Sequence, residues 1–382
     1  MRSIYDSVWQ FMKQKIYENW VEIDLEAIRT NIRLIRKISG CPVIAVIKAN
    51  AYGHGVLSVA QAAMDAGSNF FAVARFCEAM ELRNAGFQNP ILLFGRLSPK
   101  DAVQAAHEKI RAAIFCREQI TELSEVLHTS GQKLLVHAKV DTGMGRLGIP
   151  SESGLELVQA IHDTPELEIE GLYSHFARAD ETEPATTNLQ IERFDRLVDQ
   201  LTKNDLRPKI VHTANSAGAL FHPAACRYDM VRGGIAIYGL NPSSQTRLPA
   251  EFRPALSWKA QIISIKTLPS GSGISYGHKY VTKSDGQRIG VIPVGYADGF
   301  RRIAGNVVLA GGQRVPVLGN VCMDQCMIDL NPVPDVQPGD EVILIGTQGD
   351  ESITADEVAD RWGTINYEVT CGVSNRVKRM YF

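Results

Sequence analysis

Lys48 ends an apolar run, Val43-Ile-Ala-Val-Ile47, and Ala49-Asn-Ala-Tyr52-Gly-His-Gly55 follows it. A run of that length, rich in β-branched residues, reads as a strand buried on both faces. A lysine at the carboxyl end of such a strand stands where α/β folds carry their chemistry. Partial burial lowers a lysine's pKa, which Schiff-base formation with an aldehyde requires. A lysine snorkelling from a strand end to water is the plainer alternative, and one residue does not decide between them.

Other chemistry-bearing residues follow later apolar runs. Lys139 lies in one and precedes Asp141-Thr-Gly-Met-Gly-Arg146. His175, Asn215-Ser216 and Arg232-Gly-Gly-Ile235 each follow another. Each has an ordinary structural explanation, but their joint placement after successive strands is hard to obtain by chance. Ser216 and Gly234-Ile235 suit a phosphate, because hydroxyl and backbone N–H groups at a helix start bind anions without extra charge. The chain has no Gly-x-Gly-x-x-Gly opening a βαβ unit and no Gly-x-x-x-x-Gly-Lys-Ser/Thr loop, so dinucleotides and triphosphates lack support. A phosphate site beside a Schiff-base lysine suggests pyridoxal phosphate.

These residues need a frame. Strands are predicted at Val43–Ile47, Phe70–Ala74, Ile91–Phe94, Ala112–Phe115, Leu134–Val140, Ile169–Tyr173, Ile210–His212 and Met230–Val231. Helices are predicted between most of them, at Leu57–Ala66, Glu78–Ala85, Ala102–Ile110, Glu118–His128, Gly154–His162 and Leu189–Leu201. Strict alternation points to a closed (β/α)8 TIM-type barrel over 20–252, with an open doubly wound sheet as the alternative. The rhythm then breaks. Short apolar segments separated by turns such as Pro269-Ser-Gly-Ser-Gly273 and Pro338-Gly-Asp340 predict a mostly antiparallel β domain over 253–382. Residues 1–19 read as a short amphipathic helix, either packed on the body, a linker from a longer polypeptide, or expression residue.

With 40 Lys+Arg against 42 Asp+Glu, the chain offers no basic surface for nucleic acid and suits a small-molecule enzyme. Seven scattered cysteines read as reduced thiols, and Cys322 with Cys326 lacks the second pair that a zinc site needs; no metal is expected. No apolar run reaches the length of a membrane span and no secretory signal is visible, so a cytoplasmic location is expected.

From about Trp20 onward the chain resembles the alanine racemases. The matching segments are Val46-Ile-Lys-Ala-Asn-Ala-Tyr-Gly-His-Gly55, His137-Ala-Lys-Val-Asp-Thr-Gly-Met-Gly-Arg-Leu-Gly148, Leu172-Tyr-Ser-His-Phe176, His212-Thr-Ala-Asn-Ser216, Val231-Arg-Gly-Gly-Ile235, Ser275-Tyr276-Gly277, Gly295-Tyr-Ala-Asp-Gly299 and Cys322-Met-Asp-Gln325. The resemblance implies a barrel followed by a β domain, pyridoxal 5'-phosphate as cofactor, and a homodimer with shared active sites. It implies interconversion of L- and D-alanine, supplying D-amino acids for peptidoglycan precursors. Lys48 would hold the cofactor as an internal aldimine. Tyr52, Ser216, Gly234 and Ile235 would surround its phosphate, with Asn215 in support. Arg232 would face the pyridine nitrogen with His175 behind it, and Arg146 the phenolic oxygen. Lys139, a carbamate in some members, would orient Arg146. Tyr276 and the backbone of Met323 would come from the partner subunit, Tyr296 supporting them, and Met323 and Arg146 would meet the substrate. Lys48 and Tyr276 would be the two acid/bases on opposite faces.

Two positions depart from that pattern. Asn375 stands where alanine racemases usually carry tyrosine beside the substrate side chain, and Asn320 where they often carry arginine. Asparagine is smaller and offers donor and acceptor groups, room and a partner for a hydroxymethyl side chain. In this it resembles the serine racemases of vancomycin-resistance systems, whose catalytic part follows a membrane domain; serine activity is therefore expected, and residues 1–19 would be the remnant of that longer chain. Neutral variation in an ordinary alanine racemase is the alternative. Asn320 puts the charge of the substrate's access channel in question. Decarboxylases of the same architecture put an acidic residue at the pyridine nitrogen, which Arg232 opposes. A non-enzymatic cofactor-binding barrel would leave Tyr276 and the β domain without a purpose.

Overall fold

The structure, a computed structural model, describes residues 19–382. The amphipathic segment expected at 1–19 falls, up to residue 18, outside them. The chain divides into two compact units, Leu25–Pro254 and the remainder, here residues 19–24 with 255–382.

In the larger unit eight parallel strands run in the order Val231–Gly233, Val43–Val46, Phe70–Val73, Ile91–Leu93, Ile110–Ile114, Leu134–Asp141, Leu167–Tyr173 and Ile210–His212. The outer two are joined by single backbone bonds, Asp229 N–H to the Val211 oxygen at 3.0 Å and Arg232 N–H to the Ala214 oxygen at 2.9 Å. The expected barrel is thus present. Val43–Val46, Phe70–Val73 and Ile91–Leu93 are buried at every position, as strands covered on both faces must be. Helices at Val56–Asp65, Phe76–Asn84, Ala102–His107, Arg117–Ser130, Gly154–His162 and Ala185–Lys203 lie between them. An additional helix, Leu25–Ser39, precedes the first strand and buries Ile28, Ile32 and Ile35 at helical spacing.

The smaller unit is built on a sheet ordered Ser264–Leu268, Gln287–Ile292, Cys326–Asp329, Gln313–Leu318, Val307–Ala310, Glu341–Gln348, Leu256–Gln261, Asn19–Ile23 and Lys378–Tyr381. All its pairs are antiparallel except the last. Leu256–Gln261 alternates buried and half-buried positions, the signature of a strand with one covered face. Leu256–Gln261 and Ser264–Leu268 are separated by a break: Ile262 N–H turns to the Asp340 oxygen and Ile263 N–H to that of Val291, so the chain changes partners there.

Residues 20–24, assigned to the barrel on sequence, belong to this sheet instead. Val21 pairs with Trp258 and with Arg379, and Trp20, Val21 and Ile23 are buried. Partners that far along the chain leave no local pattern. Trp258, Phe300 and Trp362 then stack edge to face at 6.0 Å centroid spacing as the aromatic core.

Candidate functional site

Lys48 follows the first barrel strand, and the chain after it turns the unusual way. Ala49, Asn50, Ala51 and Tyr52 all have φ of 53°, a left-handed helical turn without a glycine, ended by Gly53. Such a conformation costs an L residue roughly 1–2 kcal/mol, so neighbouring bonds must impose it. Glu78 does so from below: one carboxylate oxygen accepts from Ala49 N–H at 2.6 Å, the other from Ala74 and Arg75 N–H at 2.8 and 2.9 Å. Asn50 Oδ1 accepts from Val56 N–H at 2.8 Å and holds the far side.

Tyr52 is brought against Gly234 by this turn. A Cβ on Gly234 would lie 2.9 Å from the Tyr52 hydroxyl and 3.7 Å from Ser216 Oγ, so only glycine lets that hydroxyl come so close. Ser216 Oγ accepts from Gly234 and Ala236 N–H at 2.9 and 3.3 Å. Asn215 caps the following helix through Gly218 N–H at 2.9 Å, and Ile235 is buried at the start of the next turn. Hydroxyls gathered with backbone groups at a helix start are the kind of set a phosphate takes.

Arg232 is 2 % exposed. Its guanidinium donates to His212 Nδ1 at 2.8 Å, to His175 Nδ1 at 3.1 Å, and to the oxygens of Ser174 and Thr213 at 2.9 and 2.8 Å. Burial lowers its pKa to about 10, still charged at neutral pH. Tyr173 lies flat against His212 with centroids 5.0 Å apart, and Arg232 and Lys139 sit over its ring. Burial, followed by the charges of Arg232, Arg146, Lys139 and Lys48, holds His175 neutral. Several basic groups about one neutral imidazole suit a ligand with several negative oxygens, and pyridoxal phosphate fits these residues.

Lys139 does not bond to Arg146. Its Nζ donates to the Val140 oxygen at 2.7 Å, and burial, reinforced by Arg232, lowers its pKa to about 7. When protonated, the unmodified amine and Arg146 carry like charge. Arg146 itself is exposed, in a loop whose N–H groups at Gly143, Met144 and Gly145 bind the Asp141 carboxylate at 2.7–2.8 Å.

In the smaller unit three segments converge on Asp298, which is 2 % exposed. Its carboxylate accepts from Gly295 N–H and from Arg376, both at 2.8 Å, and its backbone oxygen from Ser374 N–H at 2.9 Å. Tyr296 and Ala297 N–H bind the oxygens of Cys322 and Met323 at 3.0 Å. Tyr296, Met323 and Asn375 are thereby held on neighbouring loops, all exposed. Tyr276 follows Ser275, whose hydroxyl donates to the Asn320 oxygen at 2.6 Å.

His137, His212 and Asp298 lie inside the matching motifs, whereas Glu78, Glu170 and Arg111 lie outside them. His137 Nδ1 meets His212 Nε2 at 3.1 Å, and His137 Nε2 meets Glu170 at 3.1 Å. Arg111 grips that carboxylate with two N–H groups at 2.9 and 3.1 Å. The histidines stood in plain view; the acidic partners carry no motif.

Residues 23–242 match the family model for the alanine racemase N-terminal domain, and 255–381 that for its C-terminal domain. An alanine racemase of Symbiobacterium thermophilum is 45% identical over 370 residues, covering 95% of this chain and 96% of that one. The crystal structure of a Bacillus anthracis alanine racemase with bound L-Ala-P superposes with a TM-score of 0.90 at 41% identity, covering 96% and 95%. A histidine racemase from Leuconostoc mesenteroides subsp. sake gives 0.89 at 32% identity, covering 96% and 99%.

Proposed function

Since this chain belongs to the alanine racemase family, whose cofactor is pyridoxal phosphate, we propose that it interconverts the enantiomers of alanine and also those of serine. The observation that carries the racemase reading is Arg232. As a donor-only group still charged at neutral pH, it leaves a pyridine nitrogen unprotonated. A weaker electron sink favours prompt return of the proton over side reactions.

Lys48 would hold the cofactor's aldehyde; Ser216, Tyr52, Gly234 and Ile235 would surround its phosphate; Arg146 would meet its phenolic oxygen. Bound there, the cofactor withdraws electrons and acidifies the substrate's Cα proton. Lys48 takes or returns that proton on one face and Tyr276 on the other, because inversion needs one acid/base on each side. Tyr276 is 72 % exposed and Met323 54 %, large apolar side chains that suit burial against a second copy of the chain, so the working form is a homodimer.

Fold leaves the substrate side chain open, since the histidine racemase shares it. Asn375 supports serine: it is exposed between Ser374 and Arg376, both tied to Asp298, so its amide is presented on a fixed turn. The purified enzyme should racemise serine within about tenfold of alanine, up to roughly 1.4 kcal/mol in transition-state binding. Asn375→Tyr should lower kcat/KM for serine and leave alanine near its original value. An enzyme that ignores serine, or a tyrosine variant that handles it equally well, leaves plain alanine racemase.

A further inference from the structure

Within a single copy of the chain Tyr276 is 72 % exposed, so its own chain can aim it only through the backbone. Ser275 has φ of 60°, Gly277 of 71° and His278 of 46°, which puts left-handed residues on both sides of the tyrosine. L residues avoid that region unless something holds them there. Asn320 holds this segment from both ends. Its Nδ2 donates to the Tyr276 backbone oxygen at 2.6 Å, while its own backbone oxygen accepts the Ser275 hydroxyl at 2.6 Å. The preceding Gly319 has φ of 69°, and a Cβ there would strike the Ile274 oxygen at 2.6 Å, so the two loops lie in direct contact.

We propose that Asn320 is a positioning residue for Tyr276, fixing the tyrosine's carbonyl so that its hydroxyl meets the proton it transfers. This rests on the acid–base role proposed for Tyr276. A short neutral amide reaches one carbonyl with one donor and adds no charge, whereas the arginine often found in similar enzymes brings a mobile cation. Asn320 therefore acts on a rate of proton transfer and not on substrate affinity.

The experiment uses the intact holoenzyme and three variants: Asn320→Ala, which removes the donor; Asn320→Asp, which keeps the shape but sets oxygen against oxygen; and Tyr276→Phe as reference. Mirror-image substrates have an equilibrium constant of one, so kcat/KM must fall equally in both directions. The Cα-deuterium isotope effect escapes that constraint. It should rise only in the direction in which Tyr276 removes the proton. Both Asn320 variants should lose about tenfold or more in kcat, with KM and cofactor absorbance unchanged, and share the direction of isotope asymmetry with Tyr276→Phe. If Tyr276→Phe shows the asymmetry and the Asn320 variants do not, the inference fails alone, whether or not their rates fall. If Tyr276→Phe itself shows none, the acid–base reading fails and the inference with it.

Discussion

The Arg232 guanidinium donates to Nδ1 of His212 at 2.8 Å, which forces the His212 proton onto Nε2. From there the rest follows bond by bond. His212 Nε2–H donates to His137 Nδ1, so His137 carries its own proton on Nε2 and donates to Glu170. Arg111 closes the line. Five consecutive barrel strands, the fourth to the eighth, give one member each. A buried cation beneath the site is thus connected through two neutral imidazoles to a carboxylate, and burial keeps both rings neutral. Gly171 makes room for it: a Cβ there would overlap the His137 ring at 2.3 Å.

Glu170 should govern part of the acid stability. Burial works against its charge, but hydrogen bonds from His137 and Arg111 outweigh it and hold the carboxyl at about 2, against an ordinary 4.5. A folded pKa below the unfolded one gives stability that is present above pH 4.5 and is lost as pH falls toward 2; the shift corresponds to about 3 kcal/mol. Urea unfolding across that window should show a shallower acid slope for Glu170→Gln than for the parent. Parallel slopes would mean the line does not hold its charge as drawn.

Lys48→Ala should leave a folded protein that neither retains cofactor through dialysis nor racemises either substrate. Cofactor content and chiral chromatography check this together. Appreciable turnover without added amine would remove the lysine from its proposed role.

Glu78→Ala should remove the acceptor of three backbone N–H groups at or near the surface, where water replaces it in part, at about 0.5–1.5 kcal/mol. With the left-handed turn released, Lys48 is presented less well, so cofactor retention should fall alongside the denaturation midpoint. Glu78→Gln, which keeps an acceptor oxygen, should fall between. A lowered midpoint with full cofactor retention would confine Glu78 to stability.

Lys139 should form a carbamate. Its pKa near 7 leaves a large neutral fraction at physiological pH, and only the neutral amine attacks carbon dioxide, releasing a proton as the N–C bond forms. The product would exchange a charge that repels Arg146 for one that attracts it. Carbon-13 bicarbonate should label the protein above pH 7 and lose the label in Lys139→Met; an unlabelled parent protein would exclude the modification.

Much of this was legible in the residues. Val43–Ile47 reads as a buried strand because parallel strands need apolar side chains on both faces, and its end marks Lys48. Asn19–Ile23 leaves no local sign of its sheet, because its partners lie far along the chain, at Leu256–Gln261 and Lys378–Tyr381. Leu25–Ser39 carries its isoleucines at helical spacing, so that helix is legible in the residues. The turn after Lys48 had no readable sign, since Ala-Asn-Ala-Tyr contains no glycine and its strain is imposed by Glu78 through space. The line from Arg111 to Arg232 was hidden for a related reason: each strand contributes one residue, and only the order of strands makes them neighbours.

The turn at Ala49–Tyr52 is, in stereochemical terms, a short stretch of backbone in the mirror-image helix, the conformation natural to D residues. Handedness at this site is thus written into the chain as well as into its proposed substrates. Ala49 is exposed, so its methyl group can change sides freely. A semisynthetic chain carrying D-alanine at 49 should unfold at a higher temperature than the all-L protein, by up to about 1–2 kcal/mol of relieved strain. The same replacement in any right-handed helix of the barrel should do the reverse.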